Sequence, residues 1–202
     1  MAELLYFADP MCSWCYGYSS VINQLAKTHD VEVVMGGLRA GETRALDTAY
    51  RQKIQQHWHH VAQATDLPFD FDNGIAEGFV YNTEPACRAV VLVQSLIPEL
   101  ALPMLARLQT AFYAHAKDVT DVNVLAQEAA ELGITLPMFL HLFEDDDVVS
   151  ATQAQFDRAK TYAVGGFPTL LIKREDRWRS LGMGYEPLAL VEEKIAAMQP
   201  PR

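Results

Sequence analysis

The sequence predicts an α/β fold interrupted by an all-helical insertion. Three observations lead there. Short apolar or β-branched runs suited to strands stand early, at Leu4 to Ala8 and Val31 to Met35, and again late, at Phe167 to Ile172. From about Ala45 to Asp147, by contrast, almost every segment has helical periodicity or helix-forming composition. Finally, Cys12-Ser13-Trp14-Cys15 falls where the first strand should end and a helix begin.

In chain order, residues 4–8 read as a buried strand. Cys12 to about Thr28 reads as one helix, with Val21, Ile22 and Leu25 on its inner face. Val31 to Met35 is a second strand, ended by Gly36-Gly37-Leu38. Strand, helix, strand suits a parallel βαβ unit. Helices are then expected over 45–64, 84–97, 99–117, 121–132 and 136–144. Thr120 and Thr135 are expected N-caps for two of these, and Pro137 sits near the start of the last. Residues 67–74 read as a loop, and Asp145-Asp146-Asp147 as a solvated helix end or linker. A helix from about Ser150 to Ala163 runs into Gly165-Gly166. The strand from Phe167 follows, and Trp178 to Leu181 is its expected hairpin partner. An amphipathic helix covers about 187–198. Residues 1–40 and about 150–202 are thus expected to form one α/β domain, split by a helical insertion at 41–149.

Composition narrows the function. The chain has 202 residues, half of them hydrophobic, so a core without disulfide staples is expected. A net charge of −10 argues against nucleic acid or an anionic membrane as partner. No secretory leader and no bilayer-spanning run is visible, so a cytoplasmic location is expected. In a reducing compartment a C-x-x-C reads as redox or metal-binding. Zinc needs about four ligands, and there is no second C-x-x-C. His57, His59 and His60 do not make up the set, because three such neighbours cannot share one helix face. The acidic run at 145–147 lacks a hard-cation ligand pattern.

Placement makes the cysteines reactive. A helix start leaves backbone N–H groups unpaired and carries partial positive charge, which favours a thiolate. Asp9, just upstream, opposes this. Cys15 lies one turn beyond Cys12, within reach of a mixed disulfide. Cys87 is left over and reads as a small buried residue on a helix. Met11, Trp14, Tyr16, Phe167, Met183 and Tyr185 are candidates for an apolar patch around the thiols, with Tyr16 expected in the core.

Together the strand, the C-x-x-C at a helix start, the helical insertion and Val164-Gly165-Gly166-Phe167-Pro168-Thr169 entering a strand resemble the DsbA family of the thioredoxin superfamily. Asp9 to Gly17 (DPMCSWCYG) and Tyr81 to Ala89 (YNTEPACRA) are most similar to its cytosolic FrnE-like branch. The resemblance implies a thioredoxin fold with a helical insertion. It implies a cis Pro168 beside the site, Cys12 as nucleophile and Cys15 as resolving thiol; from the apolar patch, Met11, Trp14 and Phe167 are the expected substrate contacts. The implied activity is thiol–disulfide oxidoreductase, with disulfide isomerase activity compatible with the same residues.

No cofactor or metal is required, and glutathione or a thioredoxin-like protein suffices as redox partner. The substrate is a thiol- or disulfide-containing protein or small molecule, and the chain is a monomer or a dimer. The Ser13-Trp14 dipeptide differs from that of thioredoxin and of the best-known periplasmic oxidant, leaving the direction of electron flow open. Two other roles occur on, or suit, this fold. One is glutathione-dependent transferase or isomerase, of the kappa or 2-hydroxychromene-2-carboxylate isomerase type, which the second cysteine counts against. The other is non-catalytic peptide binding.

Overall fold

The computed structural model describes residues 1–198. Its sheet has four strands in the order β2-β1-β3-β4. These are β1 (Glu3–Ala8), β2 (Asp30–Met35), β3 (Thr169–Arg174) and β4 (Arg177–Met183). β2 runs parallel to β1, with Tyr6 beside Val33, while β3 and β4 form an antiparallel hairpin on the other side. β1 is apolar throughout because both faces are covered. Leu4, Tyr6 and Ala8 enter the main core, and Leu5 and Phe7 enter a smaller cluster with Val34, Ala159 and Leu171.

The helix expected from Cys12 to Thr28 is two helices, α1 (Ser13–Gly17) and α2 (Ser19–Leu25). The chain changes course at Tyr18, which closes one helix and opens the next. Beside the break, Gly17 packs against α3 (Thr48–Thr65), where a Cβ would lie 2.9 Å from Val61 Cγ1. α3 is capped by Asp47, whose carboxylate accepts from Tyr50 N at 2.7 Å.

α4 (Glu84–Leu96) is buried along most of its length. The helix expected from 99 begins later. Pro98–Leu100 form a 3₁₀ turn, and α5 runs from Ala101 to Tyr113. α6 (Val122–Ala130) is capped by Asp121 rather than by the expected Thr120, whose hydroxyl donates to Asp118 instead. α7 (Leu136–Phe143) starts after Thr135, with Pro137 in its first turn, although the Thr135 side chain makes no capping bond. α8 (Asp146–Thr161) begins earlier than expected. Asp145 accepts from Asp147 N at 2.9 Å, and Asp146 and Asp147 occupy the positive first turn. α9 (Leu188–Ala197) packs its Val191 and Ile195 into the main core. The expected final helix ran to 198 and so lies within the described residues.

The edge of β2 is closed by two glutamines. Gln94 of α4 donates to Val33 O at 3.0 Å, Gln155 of α8 accepts from Met35 N at 2.7 Å, and Gln155 donates to Gln94 at 2.6 Å. A helix from between β2 and β3 therefore braces the sheet. Cys87, Val90 and Val93 of α4 share the main core with β1 and α5.

Candidate active site

The site begins where β1 stops. Asp9 follows the last strand residue and is fully buried, yet neither carboxylate oxygen lacks a partner. One oxygen accepts from Met11 N at 2.9 Å; the other accepts from Leu38 N at 2.7 Å and from the Cys87 thiol at 3.4 Å. Asp9 thus ties together the turn before Cys12, the loop after β2 and the start of α4. Burial raises its pKa, and the bonds from Met11 and Leu38 pull the other way.

Cys12 is the N-cap of α1. Its N–H donates to Asp9 O at 3.1 Å, and its carbonyl accepts from Tyr16 N at 3.0 Å. Its sulfur lies 3.5 Å from Phe167 O. Phe167 is joined to Pro168 by a cis peptide bond, and Pro168 O accepts from Gly184 N at 2.8 Å. The Phe167 ring covers Gly36, where a Cβ would meet Phe167 Cζ at 1.9 Å. A hydrogen at Gly36 is therefore what lets the ring sit there.

Cys12 retains 8% exposure and Cys15 none. Burial, and then the neighbouring Cys12, push the Cys15 thiol well above the ordinary range. Both thiols are free, as is Cys87. Cys12 opens on a cleft of about 250 Å³. Its walls come from Ser13 and Trp14, from Leu38 and Arg39 after β2, and from Tyr50, Ile54 and Trp58 of α3. Those last three lie four residues apart and so share one helix face.

The structure brings Cys12, Cys15, Trp14, Phe167 and Pro168 to one place. Met11 is there too, but it is only 1% exposed and forms part of the cleft floor. Trp14 is half-buried, its ring 6.0 Å from that of Tyr185. Tyr16 is in the core, stacked on Tyr113 at 5.0 Å. Met183 is 63% exposed, with its sulfur near Gly165 and Gly166. His57 and His60 lie with rings 6.3 Å apart, while His59 stacks on Phe71. Among the described residues no three His, Cys, Asp or Glu side chains converge as a metal site would need.

The sequence reading did not place Arg39, Tyr50, Ile54 or Tyr81 at the site. Tyr81 donates to Met11 O at 2.5 Å and so holds the cysteine turn from behind. For α3 a signal existed, the apolar stripe at 50, 54 and 58, but it did not say which surface the stripe would face. Among the described residues no helix is long and apolar enough to cross a membrane.

Residues 3–196 match the family described as DSBA-like thioredoxin domain. A crystal structure from Nitrosomonas europaea, provisionally described as a protein disulfide isomerase, is 35% identical with a TM-score of 0.90, over 97% of this chain and 96% of that one. The cytosolic disulfide reductase DsbM from Pseudomonas aeruginosa is 26% identical with a TM-score of 0.76, over 89% of each chain, and has also been solved with GSH. A 2-hydroxychromene-2-carboxylate isomerase shares the fold at 14% identity, with a TM-score of 0.67 over 97% of this chain and 95% of that one. No curated protein sequence matches the chain.

Proposed function

As the chain belongs to the DSBA-like thioredoxin domain family, we propose that it exchanges electrons with thiol or disulfide substrates through the Cys12/Cys15 pair. One observation carries this reading. Cys12 lines a mostly apolar cleft and keeps 8% exposure, with its sulfur beside the carbonyl preceding a cis proline, while Cys15 is fully buried one turn behind it.

The difference in exposure supports one order of events. A substrate disulfide reaches Cys12 and not Cys15. The Cys12 thiolate attacks one substrate sulfur, the substrate S–S bond breaks, and the first substrate thiolate leaves. Cys15 then gives up its proton and attacks the Cys12 sulfur. The mixed disulfide breaks, the second substrate thiolate leaves, and a Cys12–Cys15 disulfide remains. Two electrons have passed to the substrate. Run backwards, the same steps oxidise a dithiol. Isomerisation starts with the same attack: the freed substrate thiolate exchanges with another disulfide of the substrate, and the new thiolate this releases attacks the mixed disulfide and expels Cys12.

The raised pKa of Cys15 suits this sequence. A protonated Cys15 leaves the attack on substrate to Cys12, and it becomes a nucleophile only on losing its proton to resolve the mixed disulfide. Phe167 and Trp14 flank the reacting sulfur as substrate contacts, and Pro168 shapes the wall beside it. The likeness to DsbM, a cytosolic reductase, supports reduction as the working direction and the cytoplasm as the location.

Redox titration in glutathione buffers, with acid quench, alkylation and intact mass, tests the proposal. The expected result is one reversible two-thiol transition, lost in Cys12→Ser and Cys15→Ser and kept in Cys87→Ser. Thiols that never pair, or a stable adduct with one glutathione, would overturn it.

A further inference from the structure

The cleft beside Cys12 is mostly apolar; besides tyrosine hydroxyls, its polar side chains include Ser13, His57 and the always-charged Arg39. Its backbone N–H donates to Thr83 Oγ1 at 3.1 Å, which fixes the start of the side chain. Its guanidinium lies 4.7 Å from the centre of the Tyr50 ring and 5.5 Å from that of Tyr81, and it donates to the Tyr50 hydroxyl. The residue is half-buried, and among the described residues it pairs with no carboxylate. A guanidinium has five N–H donors in a planar fork matched to a carboxylate. Here the side chain makes a single hydrogen bond among the described residues, so most of that fork is unused.

Those free N–H groups are available to an anion entering the cleft. The chain carries 26 acidic against 16 basic residues, so a negatively charged substrate meets overall repulsion. A guanidinium on the cleft wall attracts an anion locally, within a Debye length of about 8 Å at physiological ionic strength. The cleft of about 250 Å³ and the 8% exposure of Cys12 fit a small molecule better than a folded protein surface.

Resting on the oxidoreductase reading above, we infer that the cleft selects small disulfides and thiols bearing a carboxylate near the sulfur, with Arg39 as the residue that recognises the carboxylate. Reduction of such a disulfide by the Cys12/Cys15 dithiol yields two substrate thiols and the protein disulfide. Arg39 takes no part in the sulfur chemistry.

The test compares three small disulfides of different charge, each reduced by the fully reduced protein: anionic glutathione disulfide, neutral hydroxyethyl disulfide and cationic cystamine. Rates come from rapid acid quench, alkylation and mass. The readout is the ratio of the glutathione disulfide rate to the hydroxyethyl disulfide rate. Arg39→Gln is expected to lower this ratio about tenfold, which corresponds to about 1.4 kcal/mol. It should also raise the cystamine ratio, and Arg39→Lys should recover part of the loss. Arg177→Gln, at the exposed start of β4, changes net charge by the same amount and should leave the ratios alone.

A ratio that stays constant in Arg39→Gln, or falls equally in Arg177→Gln, overturns the role of Arg39. A wild-type protein that reduces none of the three overturns the oxidoreductase reading itself. Thermal melts of each variant separate loss of recognition from loss of fold.

Discussion

Gly36→Ala tests how the Phe167 segment is held against the cysteines. Gly36 does not have a positive φ, so the cost of a side chain there is steric. The added Cβ would lie 1.9, 2.1 and 2.7 Å from three atoms of the Phe167 ring. Carbon atoms prefer about 3.5–4.0 Å, so the ring must retreat by roughly 1.5–2 Å. Overpacking of this kind costs about 1–3 kcal/mol, and for a chain of this length Tm falls by roughly 3–10 °C. Because Phe167 O lies 3.5 Å from the Cys12 sulfur, disulfide reduction should slow as well.

Phe167→Ala removes the obstacle, so Gly36→Ala should cost little in that background. A double-mutant cycle by urea unfolding is expected to give a coupling of about 1–3 kcal/mol. Gly184→Ala is the contrast. Gly184 has φ +90° with open space around it, so its cost of about 1 kcal/mol is conformational and independent of Phe167. Simple addition of the Gly36 and Phe167 effects would refute the reasoning.

Cys15→Ser should accumulate a mixed disulfide between Cys12 and substrate, seen as one substrate adduct by intact mass; normal turnover would remove Cys15 from the proposed mechanism. Burial raises the Asp9 pKa in the folded chain above the ordinary value of 3.8, so its contribution to stability is present below that value and lost as pH rises through the folded pKa. Asp9→Asn forfeits part of the hydrogen bonding but removes this titration. Urea unfolding at several pH values between 4 and 8 should therefore show the variant gaining on wild type as pH rises, and parallel curves would count against the reading. At the start of α8, Asp145→Ala should lower stability by about 1 kcal/mol, because its carboxylate caps Asp147 N. Thr135→Ala should cost less, since Thr135 makes no side-chain cap bond. Urea midpoints of the two variants distinguish them.

The strands were readable because each signal is local. A run such as Leu4 to Ala8 or Thr169 to Ile172 is apolar for want of solvent on either face, and that can be seen without knowing what covers it. The cysteine pair was readable because strand and helix signals meet at Cys12. Two kinds of feature were not. The break at Tyr18 has one local mark, the poor helix former Gly17 before it, but a single glycine is tolerated inside helices, and the close contact of Gly17 with Val61 joins residues far apart in sequence. The cleft wall is likewise long-range. Tyr50, Ile54 and Trp58 mark a helix face from sequence alone, but the docking of that face on Cys12 is decided by tertiary packing. Caps fell between the two. Asp121 and Asp145 stand beside residues that looked equally suitable, and a shift of one or a few positions moves the helix start with them.

The glutamine bridge at β2 has a consequence beyond holding the sheet together. A strand with free amides and carbonyls along its outer side is a template for a further strand from another molecule. Gln94 and Gln155 occupy Val33 O and Met35 N, so an incoming chain would have to displace two side chains that also bind each other. Since Gln94 is supplied by α4, the helices inserted between β2 and β3 do more than wall the cleft. They cover part of the outer side of β2, where a strand from another chain would otherwise pair.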